Sequence, residues 1–528
     1  MRFNKTYLLA FALVLFSCKT NVFTGKKTLN FMPNSQLFPM AFSQYSQFLN
    51  ENNVVTGTPE ADMINRVGNK ISVAAERWLN ALGEEQYLKD YAWEYKLVND
   101  PAVNAWRYAW AFYDWANSVY SLVVTSAIFP IFYAKVSSDA FEVGNVPELL
   151  KGISKENIIF ITTAIAFLIV SILSPMLSGI ADYSGKKKRF MQFFCYLGGL
   201  SCIGLAFFTF DALYLSLLSY LLALVGFWGS LVFYNSYLPD IALPEQQDAT
   251  SALGFSLGYI GSVLLLILCL AMLKFGFYPE DNDLYGLRSD QMSFILVGIW
   301  WMGFAQVTYY YLPQGTKKDT SKVNNIITNG FKELRKIWNQ LSDNLQLKRY
   351  LGAFFIYSMA VQTVMLVATY FGEKEVQWGE DGATTGLIVS ILLIQLVAIL
   401  GAYVASKLSS KYGNLPVLIV INILWVLICI GGYFVITPMQ FYLTAGAVGL
   451  VMGSIQSLSR STYSKMIPDG SLDTASYFSF YDVAEKIGIV IGMSIFAVVN
   501  QATESMRYSI LFLLVFFVIG VVLLYRVR

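Results

Sequence analysis

Not one of the 528 residues is a histidine. That absence removes imidazole zinc sites, Ser-His-Asp and Cys-His nucleophile pairs, and histidine proton relays. Charge is scarce too. Asp, Glu, Lys and Arg make up 14% of the chain, against about 25% in an average soluble domain. The two signs nearly cancel, at a net +2, so bulk charge implies no nucleic-acid partner. There are five cysteines and no CxxC pair. Cys195, Cys202, Cys269 and Cys429 sit singly inside apolar blocks, where a thiol behaves as a small hydrophobe. No catalytic residue, metal ligand or cofactor is expected.

What the chain has is hydrophobicity, at 56% of its residues. It comes in blocks of about 20, the length that crosses a ~30 Å hydrocarbon layer as a helix. Twelve blocks can be read, at about 111–134, 157–179, 190–210, 212–237, 251–274, 291–312, 350–371, 384–406, 415–436, 440–464, 478–500 and 508–526. The widest gap, 313–349, divides them six and six. In its second part Phe331, Leu334, Ile337, Trp338 and Leu341 alternate with Lys and Arg at helical spacing, the pattern of an amphipathic surface helix.

The cationic residues give an orientation. If the first span starts inside, the inner loops hold eighteen Lys and Arg and the outer loops seven. That bias makes both ends of the twelve-span unit cytoplasmic. The six-block sets also echo each other: "LPDIALPEQQDATSA" (238–252) and "IPDGSLDTASY" (467–477) each follow a fourth block and open a fifth. Two six-helix sets related by a parallel repeat form one known transporter architecture.

Polar residues inside the blocks mark candidate sites. In the first span Asp114, Asn117, Ser118, Ser121 and Thr125 form one stripe at helical spacing. Lipid offers such a stripe no partners, so it lines a cavity or bonds to neighbouring helices. The tenth span carries Gly453, Gln456, Ser457, Arg460 and Ser464 on one face. Arg460 either snorkels to the interface or joins a cavity or gate. In the eleventh, Asp482, Glu485 and Lys486 lie within one turn. Asp482 and Lys486 have i,i+4 spacing, which leaves Glu485 for Arg460 or water. Asp114, Asp482 and Glu485 are candidates for proton coupling or for a salt-bridge latch. Gln362 and Gln395 are single amides, suited to interhelical bonding or substrate contact. Gly254 with Gly258, and Gly488 with Gly492, form GxxxG pairs that allow close helix packing.

The loop "SGIADYSGKKKR" (178–189) resembles the signature loop of the major facilitator superfamily through Asp182, Gly185, Lys186, Lys187, Lys188 and Arg189. It departs at Ser178, Ile180 and Tyr183. The resemblance implies that Asp182 helps latch the second and eleventh spans. The role of the family's Arg does not transfer, because Tyr183 stands there. The stretches "FYDWANSVYSLVVTSAIFP" (112–130), "YNSYLPD" (234–240), "SALGFSLGYIGS" (251–262), "QSLSRSTYSKMIP" (456–468) and "FSFYDVAEK" (478–486) resemble a bacterial "unknown major facilitator" family related to the vacuolar effluxers of autophagy. That resemblance covers about 105–528. It implies an all-α, twelve-helix secondary transporter of a small solute, with amino-acid efflux associated with the fungal relatives. The expected partners are the lipid bilayer, an unspecified solute and a coupling proton or sodium ion. A monomer in a bacterial inner membrane is the expected form.

The first hundred residues read differently. "MRFNKTYLLAFALVLFSCKT" has the parts of a secretion signal, and its Leu-x-Ser-Cys ending resembles a lipoprotein site that would lipidate Cys18. Residues 20–36, 64–79 and 91–106 resemble the opening of a lipoprotein-type HExxH zinc metallopeptidase, a small α+β fragment. HExxH needs two imidazoles, so peptidase activity is excluded. A working signal would export residue 19 onward, whereas the cation bias keeps residue 105 inside. The reading is thus a signal-like segment (1–18), a truncated peptidase-like fragment (19–105), a first six-helix set (106–312), a linker (313–349) and a second set (350–528). "VNDPAVNAWRYAW" is the join between two unrelated coding sequences. A tethered, catalytically dead peptidase-like protein is the alternative to a transporter.

Overall fold

The computed structural model describes residues 18–20, 27–29, 34–51, 53–84, 88, 93–99, 101–143, 147, 155–275, 289–315, 332, 335–340, 344–379, 382–468 and 470–527. The signal-like segment before Cys18 and most of the linker lie outside them, including Phe331, Leu334 and Leu341. The chain divides into two compact units, Met1–Asn104 and Ala105–Arg528.

The first unit is a small α+β arrangement. Strands β1 (Cys18–Thr20) and β2 (Lys27–Leu29) pair antiparallel, as do β3 (Asn53–Val55) and β4 (Leu97–Asn99). Helix α1 (Asn34–Glu51) precedes β3, and α2 (Pro59–Ala81) follows it. Thr58 starts α2 by accepting a hydrogen bond from Ala61 N, and Pro59 occupies the first turn, where no amide hydrogen is needed. The inner face of α2 buries Ala61 and Leu79. Gly68 lies against the Tyr95 ring, where a Cβ would not fit.

The second unit is entirely helical among its described residues. Helix α3 (Pro101–Val119) runs into a nine-residue π-helical stretch, Tyr120–Ile128, and on into α4 (Phe129–Val143). Then come α5 (Lys155–Ser184), α6 (Lys187–Leu205), α7 (Leu213–Asn235), the short α8 (Leu238–Ile241), α9 (Pro244–Phe275) and α10 (Ser289–Tyr311). After the linker follow α11 (Leu345–Glu375), α12 (Ala383–Tyr412), α13 (Asn414–Tyr433), α14 (Pro438–Met466), α15 (Thr474–Thr503) and α16 (Met506–Tyr525). Helices this long and apolar satisfy all their backbone groups internally, which a bilayer demands. Among the described residues, ten helices are long and apolar enough to cross a membrane. Two of the twelve expected spans fall outside that set. They are α6, which opens on Lys187, Lys188 and Arg189, and α15, which carries Asp482, Glu485 and Lys486.

The helix ends are written in the sequence. Thr437 and Gln440 form a reciprocal capping box at α14, with Pro438 in its first turn. Asn344 caps α11 through Leu347 N. Gly185 (φ 66°) and Gly413 (φ 83°) turn the chain between α5 and α6 and between α12 and α13. Both sit in the left-handed region, which strains any side chain-bearing residue.

Two apolar cores result. One draws on residues 110–312 and is joined by Ala475. The other draws on 347–527 and is joined by Tyr259 and Ile337. Of the two described apolar residues of the linker helix, Trp338 is exposed, whereas Ile337 is completely buried and meets protein. Beside it Lys336 reaches Asp473 at 3.4 Å, and Trp338 lies 5.5 Å from the Phe480 ring.

Candidate functional site

The polar stripe of α3 ends in an ion pair between the two cores. Asp114 Oδ2 lies 3.2 Å from Arg460 Nη1, which comes from α14. Both side chains are almost completely buried. Tyr234 of α7 donates its hydroxyl to the same carboxylate oxygen at 2.8 Å. Arg460 also donates to Ser251 Oγ at 2.9 Å, to the Ser251 carbonyl at 2.9 Å and to Asn235 Oδ1 at 3.2 Å. Its guanidinium lies over the rings of Phe255 (4.1 Å) and Trp110 (4.7 Å). Every one of these partners belongs to the part of the chain before the linker. Ser251 Oγ in turn donates to the Ser457 carbonyl at 2.7 Å.

Further along the stripe the residues diverge. Asn117 is buried, and its amide nitrogen has no hydrogen-bond partner among the described residues. Ser118 donates to Asn117 Oδ1 at 3.4 Å. Ser121 is exposed and lies, with Thr125, on the π-helical stretch. A π turn is uncommon and is often found at functional positions.

A second cluster sits on α15. Lys486 is completely buried between Asp482 (3.0 Å) and Glu485 (2.7 Å), with its ammonium 3.6 Å from the ring centre of Trp228 on α7. Ser174 of α5 donates to Asp482 at 3.4 Å. Gln362 of α11 donates to Glu485 at 2.7 Å. Glu485 is thus served by Lys486 and Gln362 rather than by Arg460, which is taken by Asp114. Two carboxylates share one ammonium, so the cluster carries a net negative charge when all three are ionised. Gln456 accepts from the Tyr259 hydroxyl at 2.7 Å and so links α14 to α9.

At the helix ends beyond these clusters lie two more sets of contacts between the cores. Asp182, at the end of α5, accepts from Ala475 N (3.2 Å), Ser476 N (2.7 Å) and Ser476 Oγ (2.7 Å). Asp473 precedes α15 without a side-chain capping bond. Asp182 therefore supplies the anionic cap from another helix, where the helix dipole favours negative charge. Lys187 contacts Asp240 and donates to Thr474 Oγ1 at 2.8 Å, while Lys188 binds the Leu312 carbonyl at 2.7 Å. The second set centres on Asp248 of α9. It accepts from Ser409 (2.7 Å), Asn414 (2.8 Å) and Lys465 (2.7 Å) at the ends of α12, α13 and α14. A cavity of about 810 Å³ opens beside these two sets.

No signal in the sequence marks Tyr234, Asn235, Asp240, Asp248, Ser251, Ser409 or Asn414 as site residues. They come from different helices, and no spacing within one helix connects them to Asp114 or Arg460.

The glycine pairs have different surroundings. A Cβ on Gly254 would stand 2.7 Å from Asp114 Oδ2 and 2.9 Å from the Tyr234 hydroxyl. At Gly258 it would meet Ser118, and at Gly488 and Gly492 it would meet Met359. Gly254→Val is therefore expected to force Asp114 away from its donors, at a cost of about 1–3 kcal/mol from overpacking. Thermal unfolding of purified protein measures it; an unchanged midpoint would show that the pair relocates freely.

Comparison with solved structures assigns the architecture. The human organic anion transporter MFSD10 superposes with a TM-score of 0.58 at 12% identity, covering 81% of this chain and 100% of that one. The major facilitator superfamily transporter FucP, in its outward conformation, gives 0.56 at 12%, covering 81% and 98%. The chain has the major facilitator fold, and its family and an MFS-type relative make it a multi-pass membrane transporter. Residues 105–528 match the family described as vacuole effluxer Atg22 like, and the chain belongs to that family. An uncharacterized MFS-type transporter, YxiO of Bacillus subtilis (strain 168), is 32% identical over 419 residues, covering 79% of this chain and 93% of the relative. Autophagy-related protein 22 of Eremothecium gossypii is 24% identical over 397 residues, covering 68% and 75%.

Proposed function

We propose that residues 105–528 form a secondary active transporter of a small solute, working by alternating access with six helices on each side of the 313–349 linker. Twelve spans then cross the membrane, with both ends of this unit in the cytoplasm of a bacterium. The observation that carries the reading is the Asp114–Arg460 pair, desolvated between the two cores and held by donors from α3, α7 and α9. A buried charge whose partners all belong to the opposite core makes a gate: separating the cores requires it to find new partners. With Asp182, Asp248 and Arg460 all engaged, the side carrying these contacts is closed. An exported amino acid or similar metabolite suits the polar stripe of Asn117, Ser118 and Ser121. The N-terminal peptidase-like fragment takes no part in transport.

Within this reading the α15 cluster is the coupling group. Its spare carboxylate takes up a proton when Gln362 and Lys486 release Glu485. Glu485→Gln is expected to retain uptake driven by solute exchange and to lose dependence on an imposed proton gradient. Proteoliposomes loaded with candidate solutes, with and without that gradient, decide the point. Gradient dependence equal to that of the parent protein would remove Glu485 from coupling.

A further inference from the structure

Helix α2 of the first unit has two apolar faces, and one of them is buried in that unit. Ala61 and Leu79 are buried on the inner face. On the neighbouring face Met63, Val67, Ile71, Ala74 and Leu82 recur at near-helical spacing from 63 to 82, and all are exposed. Ile71 is 56% exposed and Val67 48%. Arg66, Lys70 and Arg77, at spacings of four and seven, run along one edge of this strip and are also exposed. The acidic Asp62 and Glu76 sit on the far side of the wheel, beyond those cations.

We propose that this face of α2 docks on the surface of a bilayer rich in anionic lipid, lying in the headgroup region with Met63, Val67 and Ile71 inserted. The chemistry is that of an interfacial helix: length above 20 residues, a narrow apolar strip and a cationic edge. Charge complementarity selects anionic headgroups, each surface-proximal cation adding to the attraction. The chain supplies the membrane as well. Only 21 residues lie between Leu82 and Asn104, where a membrane-spanning segment begins. Even fully extended, that tether reaches no more than ~80 Å, so α2 is held at high local concentration beside the bilayer. An apolar strip that faces solvent in an isolated domain is a liability; next to a bilayer it is an anchor.

The test uses the full-length chain, with its five native cysteines replaced, in vesicles of mixed phosphatidylcholine and phosphatidylglycerol. Single cysteines at Val67, Ile71, Asn69 and Asn80 carry a fluorophore, and a lipid with a shallow nitroxide quencher is placed in both leaflets. Labels at Val67→Cys and Ile71→Cys are expected to be quenched at least about twofold more than those at Asn69→Cys and Asn80→Cys. The difference should shrink when phosphatidylglycerol is omitted, and again in Arg66→Glu/Lys70→Glu/Arg77→Glu. Equal quenching at all four positions overturns the proposal. So does a label at Ile71 that is shielded from water yet unquenched, since protein would then be the cover.

Discussion

Arg460→Ala is expected to give the largest loss of any single substitution in the second unit. The guanidinium is buried and makes four hydrogen bonds to Asp114, Asn235 and Ser251. Removing it strands the Asp114 carboxylate in a low-dielectric interior with one remaining donor, the Tyr234 hydroxyl. Breaking a buried pair from one side costs about 3–5 kcal/mol, because the surviving charge keeps its desolvation penalty without its compensation. Part of the packing over Phe255 and Trp110 goes with it. Asp114→Asn should be milder. Its amide oxygen still accepts from Tyr234, and Arg460 keeps Ser251 and Asn235. The double variant Asp114→Asn/Arg460→Gln should therefore recover much of the stability lost in Arg460→Ala and none of the transport. Thermal unfolding in detergent, paired with flux in vesicles, reads both. A double variant as unstable as Arg460→Ala would mean that packing, not charge, dominates.

Lys486→Ala is the second. It leaves Asp482 and Glu485 facing each other around an empty position, beneath the Trp228 ring. Two like charges at close range in a poorly solvated site repel strongly. Stability should fall by about 3–5 kcal/mol. Lys486→Ala/Glu485→Gln removes one of the two charges and should restore most of the loss. Unfolding midpoints of the parent, the single and the double variant check this, and a double variant as unstable as the single one would count against it.

The arrangement was legible in the sequence to the extent that it is carried by one helix at a time. Asp114 and Asn117 stand out because a polar stripe on a lipid-length helix has few explanations. Asp482 and Lys486 are an i,i+4 pair and were readable as one. The same logic left Glu485 with Arg460 as a candidate partner, because spacing reports nothing about a neighbouring helix. Gln362 stands out in the sequence as a lone amide, but nothing there pairs it with Glu485, and Tyr234, which donates to Asp114, carries no signal of its own. Asp248 shows the limit best. It lies in a loop-like word that echoes residues 467–477, yet its partners come from the ends of three helices around and beyond residue 409. Nothing local announces them. The π-helical turn at Tyr120–Ile128 was equally hidden, since its sequence is an unbroken apolar helix former apart from its hydroxyl residues.

The Asp182 contacts bear on how fast the closed end can let go. Its partners are a hydroxyl and two backbone amides at the first turn of α15, all neutral, beside the open loop at Gly185. Water can replace each of them one at a time and leave no group bare. Deeper in, Arg460 can exchange partners only after water has followed the parting helices. In the cycle proposed above, separation would start at the Asp182 end, where water can take over neutral contacts one by one, and would be slowest at Arg460, whose buried charge needs new partners before it can leave the old ones.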